Sequence, residues 1–122
     1  MKLRLGMVGG GPGAFIGAVH RMAARLDGRY ELVAGAFSSD ETKSRETGDD
    51  LELSPDRVYG SYQEMLDRAD IDIIYNPLPN SFHAPWTVRA LEAGFPVLCE
   101  KPFALNGEEA KEVLEVAERT GL

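Results

Sequence analysis

Apolar and polar positions along this chain fall into two rhythms that take turns. Leu3–Val8, Tyr30–Phe37, Val58–Tyr59, Ile71–Tyr75 and Val97–Cys99 are short, nearly continuous apolar runs. Runs of that kind are typical of strands buried on both faces of a parallel sheet. Between them the period lengthens. Phe15, Val19, Met22, Ala23 and Leu26 recur at helical spacing and predict a helix from Phe15 to Leu26, with Gly28 as its stop. Together they make one face, the side an amphipathic helix normally turns to its core. Ser38-x-x-Glu41 fits a capping box for a polar surface helix over about Asp40 to Thr47, ended by Gly48. Asp49 to Leu53 reads as a short turn before Pro55. Ser61-x-x-Glu64 caps a short helix to about Arg68. Pro77 and Pro79 forbid regular structure after the fourth strand, and Trp86 to Glu92 is helical up to Gly94. Asn106-x-x-Glu109 caps a last helix that carries Ala110, Val113, Leu114 and Ala117 inward and ends near Gly121.

Strict alternation of strand and helix predicts an α/β fold. The expected architecture is a doubly wound (Rossmann) parallel sheet of about five strands in the order 3-2-1-4-5, with helices on both faces. The 122 residues suit one domain. They stop where a further strand is expected, so residues 1–122 read as a domain cut at a boundary.

Charge narrows the partners. With 20 acidic against 13 basic residues the net charge is −7, which argues against a nucleic-acid or anionic-membrane surface. Cys99 is the one cysteine, and it sits in an apolar run, where it reads as a small core residue. Without a disulfide, a signal peptide or a span-length apolar stretch, the expected location is the cytoplasm.

The chemistry gathers where predicted strands end. Gly9-Gly10-Gly11-Pro12-Gly13-Ala14 joins the first strand to the first helix. A glycine turn of this sort offers backbone amides and a helix N-terminus to a diphosphate. Gly9 would make the tight turn and Gly11 the close approach, with Ala14 or Gly17 in the third place. The second strand ends Phe37-Ser38-Ser39-Asp40. Ser38 stands where a ribose-binding acid is expected, and Asp40 is either a late version of that acid or a helix-start residue. A serine at 38 removes repulsion against a 2′-phosphate, which Ser38, Ser39, Lys43 and Arg45 would accept, so NAD and NADP both remain open. After the fourth strand come Asn76, Pro77, Leu78, Pro79, Asn80, Ser81 and His83. The alternative is that Asn80 or Ser81 caps the next helix and that His83 is a first-turn surface residue. Glu100-Lys101-Pro102 follows the fifth strand. Lys101 is a donor that Glu100 can orient, and its bond to Pro102 is a candidate cis peptide. S-adenosylmethionine also uses glycine turns of this type, but Glu100-Lys101-Pro102 argues against it.

Gly9-x-Gly11, Gly17-x-x-His20, Pro77-x-x-x-x-x-His83 and Gly94-x-x-Val97-Leu98-Cys99-Glu100-Lys101-Pro102 resemble the glucose–fructose oxidoreductase / inositol dehydrogenase / MocA family. The resemblance spans essentially the whole chain. It implies a nicotinamide cofactor, NAD or NADP, and hydride transfer with a secondary alcohol of a sugar or polyol. By this likeness Gly9, Gly11, Pro12, Gly13, Ala14 and Phe15 hold the diphosphate, and Ser38, with Ser39, faces the adenosine ribose. Pro77, Leu78, Asn80 and His83 flank the middle of the cofactor and the nicotinamide ribose. Glu100 and Lys101 reach the nicotinamide end, with Lys101 on the substrate hydroxyl and His20 in a structural place. The family's second domain, which brings most of the substrate pocket and an acid/base group, has no counterpart here, so the isolated chain is expected to bind cofactor with little or no turnover. The alternative is a non-catalytic dinucleotide sensor or interaction module. Such a module would self-associate as a homodimer through the edge near the fifth strand.

Overall fold

The computed structural model describes every residue from Met1 to Leu122. Strand β1 (Leu3–Val8) leads through the glycine turn to α1 (Phe15–Leu26), then β2 (Tyr30–Ala36) and α2 (Glu41–Asp50). A 3-10 turn at Pro55–Arg57 precedes α3 (Tyr62–Arg68), β3 (Ile73–Asn76), α4 (Asn80–Glu92), β4 (Val97–Cys99) and α5 (Gly107–Thr120). All strand pairs are parallel, in the order β2-β1-β3-β4. The sheet therefore has four strands, not five. Val58 supplies a single parallel bridge to Gly35, beside β2, where a third strand was expected. With that bridge counted, the expected order 3-2-1-4-5 holds.

Alternation along the strands sends side chains to two cores. Val8, Ala34, Ala36 and Ile74 meet Met65, Leu66 and Ala90, under α3 and α4. Leu5, Met7 and Tyr75 meet Phe37 and Val58 on the other face. Apolar packing on both faces is what the near-continuous strand runs required.

Four local readings differ from expectation. Gly48 does not end α2. A Cβ there would lie 2.4 Å from Val58 Cγ2, so the glycine serves a close approach. Asp40, not Ser38, caps α2: its carboxylate accepts from the Lys43 N–H at 3.1 Å, while the Ser38 hydroxyl accepts from the Asp40 N–H. Asp40 is thus a helix-start acid. Helix α4 begins at Asn80, six residues before Trp86, with Pro79 as its N-cap and Pro85 inside it, so neither Asn80 nor Ser81 caps it. On α5 the buried positions are Val113 and Val116, and Leu114 faces outward. The boxes at Ser61 and Asn106 do form, accepting from the N–H groups of Glu64 and Glu109.

The largest departure is α1. Its apolar face looks outward: Phe15 is 82% exposed, Met22 67% and Leu26 84%, and Gly17 is its one buried residue. The helix seats on the glycine turn through backbone proximity and through Arg21, whose guanidinium donates to Gly10 O at 2.9 Å. A hydrophobic period reveals a face but not what the face meets.

Ser44 closes the β2 end of the sheet. Its hydroxyl, fully buried, donates to Tyr59 O at 2.7 Å and accepts from the Phe37 N–H. Arg45 is spent in the same place, on the carbonyls of Val58 and Pro55 and on Glu41. It is therefore not free to meet a phosphate.

Candidate functional site

The carboxyl ends of β1, β2 and β3 open onto one cleft of about 200 Å³. Its walls include Gly9, Gly11, Pro12 and Ala14 from the turn, Ser38, Ser39 and Lys43 beyond β2, and Pro77 and Leu78 beyond β3. In open α/β sheets this is the position where ligands bind.

The turn is shaped for an anion. Gly9 and Gly10 adopt φ of +84° and +79°, which side chains resist. The Gly9 N–H is used on Ala36 O and the Ala14 N–H on Gly11 O. The N–H groups of Gly10, Gly11 and Gly13 have no protein acceptor. Helix α1 begins with no side-chain cap and no acidic residue in its first turn. Free amides and an unneutralised helix N-terminus are what a diphosphate needs, so these residues fit that group. A Cβ on Gly11 would sit 2.5 Å from Phe37 O, so the turn lies tight against the end of β2. A Cβ on Gly17 would sit 2.7 Å from Gly10 Cα. Gly17, rather than Ala14, therefore takes the third place, letting the helix close on the turn. Ala14 is the N-cap position and Phe15 the first, exposed helical residue.

The remaining predicted residues lie outside this cleft. Asn80 is exposed at the start of α4. His83 is 1% exposed, not the surface residue its first-turn position suggested. Its Nδ1 lies 2.6 Å from Pro102 O. A carbonyl only accepts, so Nδ1 is the donor of this bond, and Nε2 has no partner. His83 thus pins the segment after Lys101, whose bond to Pro102 is cis as expected. The Lys101 side chain makes no ion pair, and it lines a separate open hollow of about 420 Å³ with Phe103 and Leu105.

Glu100 sits behind it in a tight cluster. Its carboxylate accepts from the Tyr75 hydroxyl at 2.9 Å and from the Lys101 N–H at 3.2 Å, and lies 2.9 Å from His20 Nε2. The His20 ring meets Tyr75 edge-on at 4.6 Å. One carboxylate thereby joins α1, β3 and the loop after β4. The Tyr75 hydroxyl, then the Lys101 N–H and the neighbouring His20 and Lys101, hold the Glu100 carboxyl below its ordinary value of 4.5. Burial and Glu100 push the Tyr75 phenol up, so it stays a donor. Burial also pushes the Cys99 thiol up, which favours the neutral thiol over the thiolate. Sequence reasoning passed over Tyr75. An aromatic with a polar tip two residues before the proline loop was the available signal.

This cluster gives a pH-dependent prediction. A carboxyl with a depressed folded pKa stabilises the fold above its unfolded value and loses that contribution as pH falls through the folded one. Tyr75→Phe deletes the largest cause. The variant is expected to be about 1.5 kcal/mol less stable near neutrality. That gap shrinks as the solution is acidified below 4.5. Urea unfolding at stepped pH measures it, and a gap unchanged down to about pH 3 refutes the role of the ionised carboxylate.

Residues 3–122 match the GFO_IDH_MocA family model, the oxidoreductase family with an NAD-binding Rossmann fold. The chain is 37% identical over 125 aligned residues to the uncharacterized oxidoreductase YfiI of Bacillus subtilis, covering 98% of this chain and 32% of that protein. It is 39% identical over 92 residues to the D-xylose 1-dehydrogenase (NADP(+)) of Hypocrea jecorina, covering 75% of this chain and 24% of the relative. An inositol dehydrogenase homolog from Azotobacter vinelandii, solved with NADH and myo-inositol, superposes with a TM-score of 0.93 at 39% identity, over 99% of this chain and 33% of that one. The chain therefore spans about a third or less of the length of these relatives. No helix is long and apolar enough to cross a membrane. With a family model covering nearly every residue and a diphosphate-shaped turn at its start, the chain belongs to the glucose–fructose oxidoreductase / inositol dehydrogenase / MocA oxidoreductase family, of which it forms the NAD-binding Rossmann domain.

Proposed function

We propose that this chain is the cofactor-holding part of an oxidoreductase that exchanges a hydride with a secondary alcohol of a sugar, cyclitol or related polyol. The observation that carries the reading is the pair of free amides at Gly10 and Gly11, in one cleft with Ser38 and Leu78. Gly9, Gly11, Pro12, Gly13, Ala14 and Phe15 hold the diphosphate, and Ser38 and Ser39 take the adenosine ribose. Pro77, Leu78 and Asn80 flank the middle of the ligand, with His83 supporting the wall from beneath. NAD(P)+, when bound, supplies the hydride acceptor. Lys101, on a backbone fixed by Glu100 and by the Pro102–His83 contact, donates a hydrogen bond to the alcohol oxygen. Fixing that donor in advance contributes positioning and charge stabilisation. The hydroxyl proton leaves to a base beyond these 122 residues. By itself the chain binds the dinucleotide and turns over little or no polyol.

Calorimetric titration with NADH and NADPH tests this. Micromolar to sub-millimolar binding of either is expected, and none below the millimolar range overturns it. Lys43 lines the cleft, makes no ion pair, and stands beside a serine where a carboxylate would repel a 2′-phosphate. NADPH is therefore expected to bind at least as tightly as NADH, and Lys43→Ala to weaken NADPH by about fivefold to tenfold while sparing NADH.

A second reading is favoured by the outward apolar face of α1 and by Leu98, 52% exposed on the edge strand β4. Exposed edges and apolar patches invite pairing. A dinucleotide-sensing module would self-associate there, and light scattering would find a dimer whose affinity changes with the redox state of the nucleotide. A nucleotide-indifferent mass rejects it.

A further inference from the structure

Five arginines of this chain meet a carboxylate: Arg4, Arg29, Arg45, Arg68 and Arg119. Arg21 meets none, although acidic residues outnumber basic ones by 20 to 13. It stands half-buried in the second turn of α1. Its Nη1 donates to Gly10 O at 2.9 Å and lies 4.0 Å from Sδ of Met7, which is fully buried. Burial and the neighbouring Arg25 both push this guanidinium down from its ordinary value, and no acid pushes it back up. It remains a cation, because arginine does not lose its proton in proteins. An uncompensated positive charge therefore rests against the back of the glycine turn.

One peptide unit joins that charge to the cleft. Gly10 O and the Gly11 N–H belong to the same peptide, which is trans, since the cis bond of this chain is Lys101-Pro102. In a planar trans peptide the C=O and the N–H point in opposite directions. Holding Gly10 O on Arg21 therefore turns the Gly11 N–H away from the guanidinium. That N–H has no protein acceptor, and Gly11 lines the cleft. Two successive glycines leave the plane of this peptide free to rotate unless something outside the turn holds it.

We propose that Arg21 is a positioning residue for the diphosphate: it aims the Gly11 N–H into the cleft and supplies, across that peptide, a positive charge that the diphosphate balances. This rests on the cofactor reading above. A guanidinium already paired with a carboxylate offers a ligand no net charge, whereas an unpaired one does. The peptide polarised between cation and anion also becomes the stronger donor. A half-buried cation without a partner destabilises the free chain, and an anion in the cleft relieves it.

Arg21→Lys keeps the charge on a single donor group, and Arg21→Met keeps the length of the stem and removes charge and donor together. By calorimetry NADH is expected to bind roughly tenfold more weakly to Arg21→Met and roughly threefold more weakly to Arg21→Lys. Affinity should fall less steeply with rising salt in Arg21→Met than in the parent, while Arg21→Lys keeps the parent's slope. A residue that only seats α1 on the turn would lower affinity without changing that slope. In the amide NMR spectrum of the parent chain, NADH is expected to move the Gly11 N–H and the Arg21 Nε–H together. Urea unfolding checks that both variants are folded, and if Arg21→Met is not, Arg21→Lys and the parent spectrum decide. Should the parent bind NADH while Arg21→Met stays within twofold of it or keeps its salt slope, or while the Gly11 N–H does not move, the role of Arg21 is wrong and the cofactor reading stands. If neither NADH nor NADPH binds the parent chain, both fall together.

Discussion

Gly17→Ala is expected to cost about 2 kcal/mol of stability and to weaken dinucleotide binding at least tenfold. The added methyl has nowhere to go. Its nearest neighbours are Gly10 Cα at 2.7 Å, Gly10 O at 3.2 Å and Arg21 Nη1 at 3.2 Å, and two of the three are backbone. Either α1 lifts from the turn or the turn shifts. Both outcomes strain the Arg21 bond to Gly10 O and move the free amides that face the cleft. Losing one charge-assisted amide contact suffices for the affinity loss. Gly13→Ala is the informative contrast. Nothing lies within 4 Å of a Cβ there, and only its φ of +79° opposes a side chain. That variant should cost about 1 kcal/mol, from backbone strain alone. Urea unfolding at constant m-value and calorimetric titration separate the two effects. Equal stability and affinity in Gly17→Ala and the parent would reject the close helix–turn contact.

The comparison of these glycines shows what the sequence could and could not carry. The glycine turn and Glu100-Lys101-Pro102 are local signals, and each lies at the strand end where it was expected. The third glycine was ambiguous because its role is set by a contact seven residues away, between Gly17 and Gly10. The direction of the α1 stripe was out of reach for a related reason: periodicity along one helix carries no information on which neighbour is present. Gly48 looked like a helix stop but is a packing surface for Val58, and a propensity scale cannot tell the two apart. The expected third strand shrank to one bridge because Ser44 and Arg45 take up the carbonyls of Tyr59 and Val58, which a longer strand would have offered to a ladder. His83 carried a functional signal, and the fold buries it against the segment that follows Lys101. Its partner, Pro102 O, is 19 residues away, beyond any local pattern.

Asn76→Ala is expected to be among the most damaging single changes, at about 3 kcal/mol, because one buried amide serves three partners. Asn76 is 1% exposed at the last position of β3. Its Nδ2 donates to His83 O at 3.1 Å and to Thr87 Oγ1 at 3.2 Å, and its Oδ1 accepts from the Leu78 N–H at 3.2 Å. Truncation takes the acceptor from the Leu78 N–H and a donor from His83 O and Thr87 Oγ1, and adds a small void. The damage reaches the site by two routes. Leu78 walls the glycine cleft, and His83 holds Pro102 beside Lys101. Binding should therefore weaken even where the variant remains folded. Asn76→Asp separates shape from hydrogen bonding. It keeps the size and the acceptor toward Leu78, but turns the donor facing His83 O into a second acceptor, with a buried charge if ionised. The expected result is a loss at least as large as with alanine at neutral pH, partly recovered on acidification as the carboxyl protonates and regains a donor. An Asn76→Asp chain as stable as the parent would mean that the bonds to His83 and Thr87 contribute nothing. The link from β3 to the Lys101 loop would then have to be sought in the Glu100 N–H bond to Asn76 O instead.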